Sequence, residues 1–211
     1  MIEKINKILV LAPHTDDGEL GCGGSIVRFI EEGNEVFYIA FSIAEDAVPE
    51  GYPKNILEFE VKEATKILGI KPQNLVVYKF KGRKLNYVRQ EILDELIKIK
   101  KEISPDLVFL PSPNDTHQDH YIIATEGMRA FKQTNIFGYE MPWNNFVFHT
   151  QAFIKLQEHH IAKKIEAVKA YKSQQNRPYI NDEFIKSQAV MRGTQISAKY
   201  AEVFETIRLV I

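Results

Sequence analysis

Two short stretches of the sequence concentrate side chains that bind metals and move protons. The first, residues 13–19 with the sequence PHTDDGE, holds the imidazole of His14 and the adjacent carboxylates of Asp16 and Asp17. Adjacent carboxylates repel each other and are costly to take out of water unless a cation compensates them. His14 and Asp17 stand three residues apart, so a tight loop directs both to one point and turns Asp16 elsewhere. This pattern predicts a divalent metal site with a second carboxylate left free to act as a base.

The same loop also suits a purely structural role. Asp-Asp-Gly is a common turn sequence, and aspartate often caps a helix such as the one expected from about Glu19. A second cluster, residues 113–120 with the sequence PNDTHQDH, favours the metal site over the turn and cap. It follows the apolar run 107–110, as the first cluster follows the apolar run 8–12, so both clusters lie just past predicted strands.

Three protein ligands with an open position for water are typical of a catalytic zinc site. The first cluster offers His14 and Asp17. The second offers His117 and His120, which stand three residues apart and can ligate together or divide roles. A set of two histidines and one aspartate accepts iron, cobalt or manganese as well as zinc.

Two other uses of the first loop fit less well. The sequence GCGG at 21–24 follows a strand and opens a helix, which is the position of a dinucleotide fingerprint. Ile26 stands where the last glycine of that fingerprint is needed, and the two aspartates would repel a pyrophosphate. Cys22 at a helix N-terminus is a conceivable nucleophile, but a small buried cysteine among glycines is the better interpretation.

The elements that must position these clusters alternate between strand and helix. Apolar runs and amphipathic spacing predict them at 8–12, 19–30, 35–41, 53–68, 74–78, 88–103 and 107–110, beginning with a strand. Such alternation predicts a Rossmann-like, three-layer α/β/α fold with a mostly parallel sheet. In the strand order 3-2-1-4-5, strands one and four are neighbours, and ligands bind beyond their carboxyl ends. The two clusters are therefore predicted to meet over one crevice.

The C-terminal part of the sequence is less regular. A helix is predicted at 121–131, followed by short strands at 136–139 and 146–148. Helices are then expected near 153–171 and 181–192, and a last strand near 206–210.

Composition limits the class of protein. The chain has 211 residues, 45% of them hydrophobic, a single cysteine and a formal net charge of -1. No linker, repeat or low-complexity run divides it, so residues 1–211 are expected to form one domain. The balanced charge argues against nucleic acid as a partner. No long apolar segment predicts a signal peptide or a membrane span, which makes the cytoplasm the expected location.

The paired motifs resemble a known family. Pro-His-Thr-Asp-Asp, Glu-Leu-Gly-Cys-Gly-Gly, His-Gln-Asp-His and the late segment Tyr-Ala-Glu-Val-Phe at 200–204 are similar to those of the LmbE-like, or PIG-L, zinc-dependent N-deacetylases. Members of that family remove acetyl groups from N-acetylated amino sugars and their conjugates. Two departures stand in the first motif, because Thr15 replaces a usual proline and Gly18 replaces a frequent glutamate. Neither departure removes a ligand or the base.

The resemblance implies a role for each residue of the two clusters. It makes three residues the metal ligands, namely His14, Asp17 and His120. Asp16 becomes the general base. A protonated His117 polarises the amide carbonyl or stabilises the oxyanion, and Asp119 is the carboxylate that orients His117. The resemblance also implies a homo-oligomer.

A few side chains outside the two clusters are weaker candidates. Arg83 follows strand three at the same end of the sheet and is a candidate to bind sugar hydroxyls or a phosphate, although a solvated arginine is the favoured alternative. Tyr139 and Trp143 can stack on a sugar ring, with core packing or a subunit contact as an equal alternative. His149 follows an apolar strand-like run and can face the pocket, but a role in the core or at the surface is the favoured interpretation. Three further residues receive no assigned role, namely His159 and His160, which are expected on a helix surface, and Arg192.

These observations predict a zinc-dependent hydrolase that removes the N-acetyl group from an N-acetylglucosamine-type amino sugar or its conjugate. The mechanism expected is Asp-assisted attack of a metal-bound water on the amide carbonyl. One alternative is a sugar or nucleotide-sugar binding protein with a structural metal, although such a metal needs no spare base beside it. Another is a metal-dependent esterase. A phosphate monoester would favour more positive charge than the first loop offers.

Overall fold

Seven strands form one sheet in the computed structural model, which describes residues 5–210. The strands are β1 (Lys7–His14), β2 (Glu35–Ser42), β3 (Leu75–Val77), β4 (Leu107–Pro111), β5 (Asn135–Tyr139), β6 (Ala152–Leu156) and β7 (Tyr200–Arg208). Their order across the sheet is β3-β2-β1-β4-β5-β7-β6. The first five strands pair in parallel, and β7 pairs antiparallel with both β5 and β6. The predicted order 3-2-1-4-5 and the mostly parallel sheet are confirmed.

Helices cover both faces of this sheet. They are α1 (Asp17–Glu31), α2 (Ile56–Leu68), α3 (Arg89–Ile103), α4 (Gln118–Ala130), α5 (Glu158–Lys169) and α6 (Asp182–Thr194). Along β1, Ile8 and Val10 pack in a core shared with α1, α2 and α5, while Leu9 and Leu11 pack in a second core shared with α3 and α4. Successive residues of a strand face opposite sides, so a strand covered on both faces is apolar throughout. No helix within residues 5–210 is long and apolar enough to cross a membrane.

The central strands bring the two clusters together. β1 and β4 are hydrogen-bonded neighbours, with Ile8 opposite Leu107 and Val10 opposite Phe109. Each strand leads directly into a polar loop and then a helix, α1 after β1 and α4 after β4. Because the strands are parallel, the two loops emerge at the same edge of the sheet, which is the crevice expected from the topology.

Three predictions for the C-terminal part are wrong. Residues 146–148 form no strand, and Phe146 is 92% exposed. The helix expected from residue 153 is instead strand β6 followed by α5, because β6 pairs with β7 and this tertiary pairing overrides the local pattern. The last strand is β7, which begins at Tyr200 rather than near Thr206. Two glutamates within β7 interrupt its apolar pattern, and both are buried.

One of these glutamates, Glu202, joins three elements in the interior. Its carboxylate accepts hydrogen bonds from the backbone N–H groups of Gly24 (3.0 Å) and Ser25 (2.7 Å) and from the Ser25 hydroxyl (2.6 Å). It also accepts from the buried ammonium of Lys164 at 2.6 Å. The glutamate of the late Tyr-Ala-Glu-Val-Phe segment therefore fixes α1 and α5 against β7.

Glu202→Gln is expected to lower the free energy of unfolding by about 3 kcal/mol, since removing one charge leaves Lys164 buried without its counter-ion. Urea denaturation followed by circular dichroism measures the change. Glu158→Gln is the matched control, because Glu158 pairs with Lys199 at the surface, where the loss is expected to be much smaller. Equal losses in the two variants would show that the buried pair has no special contribution.

Candidate metal centre

The loop after β1 turns His14 and Asp17 toward one point. The Asp17 carboxylate accepts a hydrogen bond from the backbone N–H of His14 at 2.8 Å, and the same Oδ2 atom lies 3.1 Å from His14 Nδ1. Asp16 occupies the N-cap position of α1, yet its side chain makes no capping hydrogen bond. It lines a cavity beside the two other side chains instead. The turn-and-cap alternative therefore does not account for Asp16.

His120, from the first turn of α4, completes a three-residue set. Its Nε2 atom lies 3.2 Å from Asp17 Oδ2, and the His14 and His120 rings have centroids 5.4 Å apart. One potential ligand atom from each of His14, Asp17 and His120 lies within 4.8 Å of the others. Two imidazoles and one carboxylate at this spacing fit a divalent transition metal.

Carboxylates contact the outer ring nitrogens of both histidines. Asp119 Oδ2 lies 3.0 Å from His14 Nε2, and Asp115 Oδ2 lies 2.7 Å from His120 Nδ1. Metal-binding histidines almost always donate their second N–H in this way, because the acceptor holds the proton on the outer nitrogen and leaves the inner lone pair free. Asp115 was not predicted as a site residue, although it stands in the second cluster five residues before His120.

Asp115→Asn is expected to weaken metal binding about 10- to 100-fold, because the amide no longer holds the His120 proton on Nδ1 as strongly. Competition for the metal with a chromogenic chelator measures the change. Asp182→Asn is the control, since Asp182 pairs with Lys169 at the surface, on the first turn of α6. An unchanged affinity in Asp115→Asn would argue against His120 as a ligand.

Asp119 makes hydrogen-bond contacts other than the one that the resemblance implies. The resemblance implies that Asp119 orients His117, but the Asp119 carboxylate contacts His14 and accepts from the backbone N–H of Arg83 at 2.5 Å. His117 is the N-cap residue of α4, and its Nδ1 accepts a hydrogen bond from the backbone N–H of Asp119 at 3.1 Å. The His117 ring nevertheless stays near this carboxylate, because one potential ligand atom from each of His14, His117 and Asp119 lies within 4.8 Å of the others.

His117 also differs from the protonated residue that was expected. Burial, together with the nearby His120 and His14, lowers the pKa of His117 to about 4. His117 is therefore neutral at pH 7. Because its Nδ1 accepts a hydrogen bond, the proton resides on Nε2, which makes the ring a neutral donor. A neutral N–H still stabilises a developing oxyanion.

Burial and close contacts shift the pKa values of Asp16 and Asp17 in opposite directions. Burial alone would raise the pKa of Asp17, but His120 and His14 outweigh it and hold that pKa far below its usual value. For Asp16, burial and the adjacent Asp17 raise the pKa to about 6. Burial would lower the pKa of both histidines, but their carboxylate partners together outweigh it. Asp17 and Asp119 raise the pKa of His14 to about 9, and Asp17 and Asp115 raise that of His120 to about 10. The same surroundings thus favour the anionic form of Asp17 and the protonated form of Asp16.

Two buried tyrosines form hydrogen bonds to the loop between β1 and α1. The hydroxyls of Tyr38 and Tyr171 donate to the backbone carbonyl of Thr15 at 2.8 and 2.6 Å. Both hydroxyls also contact the carboxyl of Glu19, whose pKa burial raises to about 8. A Cβ atom at Gly18 would lie 2.4 Å from the Tyr38 ring, so the tyrosine occupies the space of the side chain that Gly18 lacks.

A cavity of about 320 Å³ opens over the candidate metal centre. Arg83 lines it, as expected, and so do Trp143, Arg177 and Tyr179. The Trp143 ring stacks on Tyr179, with centroids 3.9 Å apart and planes 8° from parallel. Arg177 and Tyr179 were not predicted, because they lie on an irregular segment between α5 and α6 that carries no recognisable motif.

The remaining candidates do not line the cavity. Tyr139 is buried and donates its hydroxyl to the Leu11 carbonyl at 3.0 Å, so it packs in the core. His149 is exposed, and it is absent from the residues that line the cavity. Arg192 forms an ion pair with Glu140.

His160 is not on the helix surface as predicted, because only 3% of it is exposed. With His159 it contacts Glu31 at 2.9 Å through Nε2, which resembles a second metal-binding group. The His160 Nδ1 atom, however, accepts a hydrogen bond from the backbone N–H of Gln157 at 3.0 Å. A neutral His160 therefore carries its proton on Nε2, where it donates to Glu31 and leaves no lone pair for an ion.

Comparison with known proteins gives consistent matches. Residues 9–131, more than half of the chain, match the family described as PIG-L: GlcNAc-PI de-N-acetylase. The chain is 27% identical over 172 residues to the uncharacterized deacetylase YaiS of Escherichia coli strain K12, covering 79% of this chain and 90% of that protein. It is 27% identical over 134 residues to the diacetylchitobiose deacetylase of Thermococcus kodakarensis, covering 60% and 49%. The solved structure of the conserved protein TT1542 from Thermus thermophilus superposes with a TM-score of 0.81 at 27% identity, covering 99% and 97%.

Proposed function

The chain belongs to the PIG-L family, as its motifs predict, and we propose that it is a metal-dependent N-deacetylase acting on an N-acetylated amino sugar or its conjugate. The observation that carries the proposal is the convergence of His14, Asp17 and His120 in the lining of a cavity, with Asp16 beside them as neither ligand nor cap. A structural metal would have no use for this free carboxylate. The deacetylase names of the relatives support the same reaction.

We assign the ion as zinc, held by His14, Asp17 and His120. Three protein ligands of these types, with one open position, are the usual set for a catalytic zinc ion. When bound, such an ion acts as a Lewis acid and lowers the pKa of a coordinated water to about 7. The other divalent transition metals suit the same donors, so metal analysis decides among them.

The residues of the chain supply the proton transfers. Asp16 takes the proton of the attacking water and returns it to the departing amine nitrogen, a double role that suits a pKa raised to about 6. His117 donates from Nε2 to the oxygen of the tetrahedral intermediate, since its Nδ1 is occupied by the Asp119 backbone N–H. Asp119 and Asp115 keep His14 and His120 oriented throughout.

The test is amine release from a panel of N-acetylated amino sugars and their conjugates, with the metal content of the protein measured beforehand. Release that depends on the metal is expected for at least one compound. O-acetyl counterparts in the same panel detect an esterase, which the same residues would also support. Stoichiometric metal with no release of amine or acetate from any compound would favour a binding protein with a structural metal.

A further inference from the structure

Two arginines without a carboxylate partner face the cavity over the metal centre. The chain has seven arginines, and four of them form ion pairs. Arg208 donates instead to backbone carbonyl groups. Within residues 5–210, no carboxylate lies within ion-pair distance of the two that remain, Arg83 and Arg177, and both line the same cavity. Both side chains are exposed and positively charged.

Asp119, which contacts the candidate metal ligand His14, also holds the backbone of Arg83. Its φ angle is +61°, in the left-handed region that non-glycine residues adopt rarely. The Arg83 N–H donates to Asp119 Oδ2 at 2.5 Å, and the Gln118 side chain donates to the Arg83 carbonyl at 2.8 Å. Asp119 also contacts His14. An unfavourable conformation fixed by two hydrogen bonds indicates that the position of Arg83 relative to the reacting centre is functional.

Gln174 orients Arg177, which lies in the C-terminal part of the chain. Its Nε donates to Gln174 Oε1 at 3.3 Å, and its backbone N–H donates to the Gln174 carbonyl at 2.9 Å. Gln174 is buried, lines the cavity, and donates from Nε2 to the Ser173 hydroxyl at 3.2 Å. This chain of hydrogen bonds occupies Nε and leaves the two terminal nitrogens of the guanidinium available to a ligand.

We propose that Arg83 and Arg177 form an anion-binding subsite, and that the preferred substrate is an amino-sugar conjugate that carries a carboxylate or a phosphate. The inference rests on the proposed deacetylase function and specifies its substrate class. Guanidinium groups bind the oxygens of such anions in pairs, through short charge-assisted hydrogen bonds. A neutral sugar offers hydroxyl groups only, and their hydrogen bonds to two arginines without a carboxylate partner are much less favourable.

The experiment compares glycosides of N-acetylglucosamine that differ only in the group attached to the anomeric oxygen. Carboxymethyl and carbamoylmethyl glycosides have nearly the same shape, but only the first is charged, and the 1-phosphate tests the second kind of anion. The wild-type protein is expected to prefer the charged compound over the carbamoylmethyl glycoside by about 10-fold or more in kcat/KM for amine release. The larger of the carboxylate and phosphate preferences identifies the anion.

Arg83→Gln and Arg177→Gln are each expected to reduce this preference about 10-fold, mainly through KM. Arg83→Lys keeps the charge and is expected to retain part of the preference. Lys84→Gln is the matched control, because it removes an exposed positive charge next to Arg83 that does not line the cavity. The control is expected to keep the full preference.

An equal kcat/KM for charged and neutral glycosides, or a preference that survives both glutamine variants, would overturn the subsite. Release of no amine from any glycoside would instead count against the proposed function. In that case calorimetric titration of the carboxymethyl and carbamoylmethyl glycosides decides on the subsite without turnover. Tighter binding of the charged glycoside, lost in Arg177→Gln, supports it, and equal binding rejects it.

Discussion

Asp16→Asn is expected to lower the rate of amine release about 10²- to 10⁴-fold while the metal content stays near that of the wild type. Asparagine has the size of aspartate but accepts no proton at neutral pH. Asp16 is not among the converging ligand atoms, which come from His14, Asp17 and His120, so the ion should remain bound. Single-turnover kinetics on a responsive substrate, together with metal analysis of the same sample, measures both quantities.

The control for this variant is Asp182→Asn, which makes the same chemical change at a surface ion pair. The variant should be at least as stable as its control, because the Asp16 side chain makes no capping hydrogen bond to α1 and asparagine removes a negative charge that burial and Asp17 disfavour. Normal metal content with wild-type turnover in Asp16→Asn would remove Asp16 from the mechanism. Loss of the ion would show that Asp16 is a ligand.

The sequence predicts the N-terminal half of the fold well because its signals are local there. Each buried strand is a continuous apolar run, and each helix has an apolar stripe at helical spacing, so the parallel order follows from the alternation. The start of β7 was predicted too late in the sequence because Glu202 and Glu205 stand inside the strand. Their burial is explained only by partners elsewhere in the chain, such as Lys164 and Ser112.

The candidate site was also predictable from the sequence only in part. The motif residues were identifiable because several titratable groups stand within a few positions of one another, and the topology then places the two clusters together. The orientation of the histidine rings was not predictable. The Asp119 carboxylate contacts His14 and not His117, and this depends on which side chain caps α4. Arg177 carries no local signal at all, because only the three-dimensional path between α5 and α6 brings it to the cavity.

His120→Ala is expected to abolish stoichiometric metal binding and to lower amine release by roughly 10³-fold or more, since the ion supplies several kcal/mol of transition-state stabilisation. Metal analysis after dialysis and steady-state kinetics measure the two effects. The variant also leaves Asp115 without its histidine partner, so a loss of stability is expected as well. A variant that kept both the ion and the activity would exclude His120 as a ligand.

His160→Ala separates the loss of metal binding from the loss of stability. His160 is also a buried histidine in the first turn of a helix, with a carboxylate beside Nε2. The difference between the two histidines lies in the outer nitrogen. In His120 the outer nitrogen faces the Asp115 carboxylate, which holds a proton there and frees Nε2 for an ion. In His160 it faces a backbone N–H donor, which forces the proton onto Nε2. His160→Ala is therefore expected to lose stability and keep its metal, whereas His120→Ala loses both.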